Sequence, residues 1–431
     1  MNSIIFLFVI LFALITIGVP VGFAIAGATI STIAMFSGLD MIMMAQYSYT
    51  GTDSFPIMAI PFFMLAGAIM STGGIAKRIV EVANNAVGFL TGGLGAVVSL
   101  ASMFFAAISG SAMATVSSIG GMLIPEMKNK KYPLEYSACL ASFAGTIGII
   151  IPPSIPLVIY GIATQTSISD LFLAGVFPGI LIGLALIITN WLLCKKYGFG
   201  ERQTLGEGFT IGQWAARLGK SFINGLWALM SPVIILGGIY SGIFTPTEAS
   251  VVAVVYSFVV SKFVYKELTW KGLLDCLLDT GKLNGITTYL LGFSGAFAAY
   301  LSLERVPNAV FEFLASVTDN KIVLLLIINV FLLILGCFMD NIPATIILAP
   351  ILLPAVMGFG VDPIHFGIIM TLNLAIGLVT PPYGCNLFVG AAVAHIKMDS
   401  MFKYLLPFMI PMLLVLSLVT YVEAITMFAF Y

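Results

Sequence analysis

Apolar runs of the length that crosses a lipid bilayer recur along almost the whole of this 431-residue chain. A helix needs roughly 20 apolar residues to cross about 30 Å of hydrocarbon. Only 9% of the residues are charged, whereas a soluble protein has about 25%. We therefore expect an all-α polytopic membrane protein. Its candidate spans lie near residues 4–36, 55–75, 134–168, 171–194, 226–244, 247–265, 284–303, 364–393 and 404–428.

Two further apolar stretches, 89–125 and 322–354, are too long for one crossing and have polar, Gly-rich or Pro-rich centres. If each folds back as a re-entrant hairpin and residue 1 is cytoplasmic, 16 of the 18 lysines and arginines face the cytoplasm, all but Arg305 and Lys321. Cytoplasmic loops are enriched in these residues, so the asymmetry supports both hairpins. The amphipathic segments 210–227 and 267–283 are expected to be interfacial helices or helical linkers.

The chain also contains an internal repeat. Residues 148–161 align with residues 377–390 at an offset of 229, and the matched positions are Gly148, Pro152, Pro153 and Gly161 with Gly377, Pro381, Pro382 and Gly390. Residues 18–24 resemble residues 244–250 at a slightly smaller offset. The charge-based topology gives the two copies opposite orientations, so we expect inverted repeats. This architecture is typical of secondary transporters, which bind substrate and ions near the bilayer midplane.

The paired prolines predict two broken helices. Pro152 and Pro153 lack amide protons and clash with preceding carbonyls, so the helix breaks there and frees carbonyl oxygens. Non-helical backbone in a bilayer is tolerated only where it is buried or lines a polar cavity. A dehydrated cation would satisfy these carbonyls, although a proline kink satisfied by neighbouring helices is the alternative. The second copy, 375–384, repeats the pattern.

The hairpin centres carry the remaining polar groups. Ser109, Ser111 and Thr115 supply hydroxyl oxygens to the first hairpin, and Asp340 and Asn341 mark the second. An ionisable residue at bilayer depth usually has a function, but Asp340 could equally cap the helix that follows it. Glu248 is expected to close a capping box with Thr245 at the start of a helix.

Other classes of function lack support in the sequence. The net charge is −1 and no basic arm is present, so nothing indicates nucleic acid binding. No GxxxxGK[ST] phosphate loop, GxSxG elbow or HExxH motif occurs, which argues against ATP use and against an enzyme. The five cysteines are isolated and show no metal-ligand spacing.

Four segments resemble the large membrane subunit of tripartite ATP-independent periplasmic (TRAP) transporters. They are SGSAMATVSSIGGMLIPEM (109–127), TIGIIIPPSIPLVIYG (146–161), IYSGIFTPTEASVVAVVY (239–256) and LVTPPYGCNLFVG (378–390). The resemblance runs essentially end to end and is greatest, by overall likeness, to sialic-acid (N-acetylneuraminate) systems of marine gamma-proteobacteria. It implies a sodium-driven importer in the bacterial inner membrane. It also implies two partners: a small four-helix membrane subunit and a soluble periplasmic binding protein that delivers a small organic anion.

The resemblance further implies an elevator, in which a transport domain slides against a scaffold. The scaffold would comprise residues 1–75 and 171–266. The two transport repeats would comprise 76–170, with hairpin 89–125 and broken helix 134–168, and 267–396, with hairpin 322–354 and broken helix 364–393. Residues 397–431 would form a C-terminal helix.

Family sites carried over residue by residue give two sodium sites and a substrate site. The first sodium site would use Ser109, Ser111, Gly148, Ile151 and Pro153. The repeat offset then gives Phe338, Asp340, Gly377, Thr380 and Pro382 for the second. The substrate would lie near Ser111, Asn341 and Thr380. Asp340 would repel an anionic substrate unless a bound cation neutralises it, which suggests a physical reason for sodium coupling.

Four other functions are compatible with these sequence features. The nearest is a self-sufficient sodium/dicarboxylate-type symporter that needs no partner chains. A TRAP importer of a C4-dicarboxylate, a channel built from the same hairpins, and a non-transporting assembly subunit complete the alternatives.

Overall fold

A computed structural model describes residues 2–36, 40–200 and 211–430, and it confirms an all-helical, multi-span protein. The first half of the chain forms helices α1 Asn2–Thr16, α2 Val21–Phe36, α3 Ile42–Thr50, α4 Ala59–Thr72, α5 Ile75–Val87, α6 Gly93–Ser109, α7 Ala112–Thr115, α8 Gly121–Asn129, α9 Leu134–Gly145, α10 Ile155–Thr164 and α11 Ile168–Tyr197. A π-helical turn, Val116–Gly120, joins α7 to α8 without a break. A short 3₁₀ turn, Thr146–Ile149, follows α9.

The second half also contains a hairpin followed by a broken helix. It forms α12 Ile211–Tyr240, α13 Pro246–Val259, α14 Trp270–Leu303, α15 Val306–Val317, α16 Lys321–Gly336, α17 Asn341–Met357, α18 Pro363–Gly377, α19 Cys385–Ala394, α20 Phe402–Tyr421 and α21 Ala424–Met427. Among the described residues, six helical segments are long and apolar enough to cross a membrane. Helices α15 and α16 form a bent pair with an angle of 119° between them.

The predicted single span over residues 4–36 is wrong, because the chain turns back between α1 and α2. The rings of Phe6 and Phe36 lie 5.0 Å apart, and a Cβ on Gly27 would lie 3.3 Å from Leu14. Residues equally far from the turn therefore meet, as in an antiparallel helix pair. Gly18 in the turn has a φ of +91°, and Pro20 precedes α2. No lysine or arginine occurs before Lys77, so the charge asymmetry could not detect this reversal.

The two amphipathic segments, predicted to be interfacial helices or helical linkers, are continuous with the spans that follow them. Residues 211–227 belong to the 30-residue helix α12, and residues 270–283 belong to the 34-residue helix α14. At 1.5 Å per residue, α14 is about 51 Å long, which exceeds the hydrocarbon thickness. Its amphipathic first half therefore continues the same helix as the predicted span and is not a separate interfacial helix.

The chain turns back within both predicted hairpin stretches, and both predicted broken helices are interrupted at their paired prolines. The first hairpin turns at Gly110, between α6 and α7. In the second hairpin, between α16 and α17, the Lys321 amine at one end donates to the carbonyl of Gly360 just past the other, at 3.0 Å. Each broken helix has a cis peptide between its paired prolines, Pro152–Pro153 and Pro381–Pro382.

Candidate functional site between the hairpin tips

The tip of the first hairpin docks onto the first broken helix. The carbonyl of Gly110 accepts a hydrogen bond from the Ile155 amide at 3.3 Å, just after the break. Gly110 has a φ of +60°, and a Cβ there would lie 2.7 Å from the carbonyl oxygen of Pro153. Glycine is therefore required twice, for its left-handed backbone and for the close approach.

Oxygen atoms converge where this tip meets Gly148. The Thr115 hydroxyl donates to the carbonyl of Ser111 at 2.9 Å and lies 3.1 Å from the Ser109 hydroxyl. A Cβ on Gly148 would lie 2.5 Å from the Thr115 hydroxyl and 2.6 Å from the Ser111 carbonyl oxygen. Ser109 and Thr115 are buried. The cluster consists of uncharged oxygens, which are donors suited to a hard cation.

The structure brings together most residues of the predicted first sodium site. Ser109, Ser111 and Gly148 are neighbours, and Pro153 reaches the tip through Gly110. The side chain of Ile151 instead packs toward Gly179 on α11, so only its main chain can serve the site. Thr115 is not in the predicted ligand set, although its hydroxyl joins the site because it lies four residues after Ser111, one helical turn away.

The second tip is built differently. The Asp340 carboxylate accepts a hydrogen bond from the Asn341 amide at 2.8 Å and caps α17. Capping is therefore confirmed for Asp340, and a functional role stays compatible with it. The Phe338 side chain is 62% exposed, so this residue could offer a cation only its carbonyl.

The sequence symmetry of the two sites is not reproduced in their packing. The repeat offset pairs Gly148 with Gly377 and Ser111 with Asp340. Gly148 packs on Ser111, but a Cβ on Gly377 would lie 2.5 Å from backbone atoms of Gly336, four residues before Asp340. The Thr380 hydroxyl donates to the carbonyl of Ile376 within its own segment, at 2.8 Å. The residues of the second predicted site therefore lie less close to one another than those of the first.

A cavity of about 680 Å³ lies between the two tips. Ser111 lines one side and Asp340 the other, together with the first turn of α2 and residues 283–290 of α14. Asp340 is the one charged residue among the described residues that line it, and none of them is basic. Asn341 lies next to this cavity with a buried side-chain amide nitrogen that has no hydrogen-bond partner. Thr380, which was predicted to contact substrate, is not in the lining.

A second cavity, of about 330 Å³, continues from the first. Met64, Ser111 and Leu283 line both. The second cavity follows the hydroxyl-bearing face of the first hairpin and the start of α14, where Asp275 is found. This end of α14 also carries Lys271 and Lys282, two of the lysines that the charge-based topology assigns to the cytoplasmic side.

Asn386 connects the two broken helices, although it is not among the predicted site residues. Its backbone N–H donates to the Leu378 carbonyl at 3.0 Å, and its side-chain Nδ2 donates to the Ser142 carbonyl at 3.3 Å. It is fully buried. A buried amide in an apolar stretch directly after a proline break was the available signal.

Comparisons with known proteins agree with this arrangement. The family model "Tripartite ATP-independent periplasmic transporter, DctM component" matches residues 8–425. The chain is 44% identical to an isethionate TRAP transporter permease protein, DctMQ, of Oleidesulfovibrio alaskensis, over 96% of this chain and 64% of that one. It is 41% identical to the C4-dicarboxylate TRAP transporter large permease protein of Pseudomonas aeruginosa, over 92% and 91% of the two chains.

The matched transporters differ in the substrate that their names give. The sialic acid TRAP transporter large permease protein of Vibrio cholerae is 37% identical over 93% of this chain and 92% of its own length. Among solved structures, the YdaH transporter of Alcanivorax borkumensis has a similar fold. Its TM-score is 0.64, with 14% identity over 90% of this chain and 88% of that one.

Proposed function

The chain belongs to the DctM family of large permease subunits of TRAP transporters, multi-pass proteins of the bacterial inner membrane that are not enzymes, and on this premise we propose that it couples sodium entry to the import of a small organic anion. The anion would bind in the cavity between the two hairpin tips. Sodium ions would bind where each tip meets its broken helix.

One observation carries this proposal: the central cavity is lined by both hairpin tips but by no basic side chain among its described lining residues. An anion that enters it must be stabilised by other positive groups. The helices that begin after Ser111 and Asp340 direct their N-terminal ends, and hence their partial positive charge, toward this region. Bound cations would supply the rest and would neutralise Asp340.

The first sodium site is proposed at Ser109, Ser111, Thr115 and Gly148, with carbonyls near Pro153. The Thr115 hydroxyl lies 3.1 Å from the Ser109 hydroxyl and 2.9 Å from the Ser111 carbonyl oxygen, which supports a preorganised site. The second site, at Phe338, Asp340, Gly377, Thr380 and Pro382, would need the tip to shift toward Gly377. Sodium binding that pulls these groups together would couple the ion to closure of the tip around substrate.

An elevator is the proposed mechanism of transport, with inverted repeats as its basis. Each half contains a hairpin followed by a helix broken at paired prolines, and the charge-based topology places the two halves in opposite orientations. The antiparallel pair α1–α2 adds one crossing to the first half, which would place the start of α1 on the periplasmic side and keep the halves inverted. The 330 Å³ cavity leads from Ser111 toward the side that the charge-based topology assigns to the cytoplasm, which supports an inward-facing state.

Two partners are proposed, a small membrane subunit and a periplasmic binding protein. The relative from Oleidesulfovibrio alaskensis is named DctMQ and extends beyond the match with this chain, which covers 64% of it. A second membrane subunit joined to the large one would account for this extra length. The tripartite description of the family accounts for the binding protein.

The substrate is proposed as a carboxylate or sulfonate of small size, with sialic acid as our specific prediction. Relatives of similar identity name isethionate, C4-dicarboxylates, sialic acid and 2,3-diketo-L-gulonate, so they do not favour one of these.

The test is uptake into vesicles that contain this chain, the small subunit and the binding protein, with each component omitted in turn. Labelled sialic acid, succinate and isethionate would be compared with and without an inward sodium gradient. Accumulation that needs sodium and both partners is the expected result. Sodium-driven uptake by this chain alone would refute the tripartite reading, and uptake without sodium would refute the coupling.

A further inference from the structure

An apolar cavity of about 310 Å³ separates α1 from the second hairpin. Phe8, Leu11, Phe12 and Ile15 line it from α1, at the spacing of one helix face. Residues at the same spacing on α17, from Ala344 to Leu352, line the opposite wall. Two apolar stripes thus face each other across a gap, although close packing of such stripes is the usual outcome.

No polar atom is exposed in this cavity, so water gains no hydrogen bonds there. An apolar cavity of about 150 Å³ in another protein stays dry and binds benzene, and this one has about twice that volume. It is therefore suited to an apolar ligand and unsuited to the organic anion. It is also distinct from the cavity between the tips, with which it shares no lining residue.

The cavity opens onto the outer surface of the protein. Phe12 and Phe331 line it and are 49% and 43% exposed, and the neighbouring Val9 and Ile334 are 58% and 57% exposed. In a bilayer this apolar surface is in contact with lipid tails. Behind these two rings the lining is shielded from direct contact with the surrounding lipid, since Leu11 is 1% exposed and Ile351 is 5% exposed, so a lipid tail meets these two residues by way of the cavity.

We propose that the acyl chain of a membrane lipid occupies this cavity, inserted between Phe12 and Phe331 with its end against Leu11 and Ile351. The flexible chain would fill the gap between α1 and the second hairpin. It would also preserve apolar contacts if the distance between these helices changes. This binding site is independent of the identity of the transported anion.

The test is photo-crosslinking of the full-length chain, with any membrane subunit that copurifies, in nanodiscs of phosphatidylethanolamine that carry a diazirine on the acyl chain. Adducts would be mapped by mass spectrometry. We expect adducts on Leu11 and Ile351 as well as on exposed Val9. Adducts confined to exposed residues would overturn the proposal.

Two substitutions make the result specific. Ala344→Phe should fill the cavity and abolish adducts on Leu11 and Ile351 while those on Val9 persist. Val9→Phe, on the outward face of α1, should leave the interior adducts unchanged. If Ala344→Phe does not fold, Leu348→Phe fills the same space. Interior adducts that survive a folded filling variant would show that the label arrives by another route and would refute the site.

Discussion

Replacing Gly148 by alanine should weaken sodium binding at the first hairpin tip. The added Cβ would lie 2.6 Å from the Ser111 carbonyl oxygen, whereas carbon–oxygen contacts are usually at least about 3.3 Å. The tip must therefore retreat from the broken helix by about 0.7 Å. Protein metal sites keep their ligand distances to within about 0.2 Å, so the oxygens could no longer surround one ion.

The expected magnitude is at least a tenfold rise in the sodium dissociation constant, or about 1.4 kcal/mol. A ligand at 100 times its dissociation constant stabilises the native state by about 2.7 kcal/mol. At the same sodium concentration, the variant should gain only about 1.4 kcal/mol. Two measurements check this: the sodium-dependent shift of the thermal unfolding midpoint, and the sodium concentration for half-maximal uptake.

Gly121→Ala is the matched control, because it lies in the same hairpin and its Cβ would have no atom within 4 Å. It should bind sodium like the wild type and should be at least as stable, since alanine favours a helix over glycine. A folded Gly148→Ala protein with wild-type sodium dependence would refute the proposed site. Equal losses in both variants would refute the steric reasoning.

Three further predictions concern other contacts. Gly377→Ala should reduce the free energy of unfolding by about 1–3 kcal/mol and abolish uptake. The added Cβ would lie 2.5 Å from the backbone of Gly336. Wild-type thermal stability of this variant would contradict the prediction. Asp340→Asn should retain thermal stability, since asparagine caps helices as well as aspartate does. It should nevertheless alter the measured ratio of sodium to substrate transported. Full uptake with an unchanged ratio would contradict the proposed charge coupling. Arg78, near the start of α5, forms an ion pair with Glu267. A double-mutant cycle of Arg78→Ala and Glu267→Ala should give a coupling energy of about 0.5–1 kcal/mol. Additive effects of the two substitutions on stability would show that this ion pair does not stabilise the protein.

Local chemistry explains the features that the sequence predicted correctly. Thr245 and Glu248 form the expected capping box, because the residues that make it are three positions apart on one chain. Both helix breaks occur at paired prolines because proline removes the amide that a helix needs. The charge asymmetry supports the proposed orientation, but it carries no information where charges are absent, and the reversal between α1 and α2 was therefore missed.

Composition, motif spacing and residues adjacent in the chain are enough to predict a multi-span membrane protein with two hairpins, two broken helices and an internal repeat. The packing of separate helices, in contrast, brings Gly148 against Ser111 and its repeat mate Gly377 against Gly336 instead of Asp340. It also decided which residues enclose the cavity between the tips. Such contacts depend on how separate helices pack, and equivalent sequence positions can pack differently once their neighbours differ.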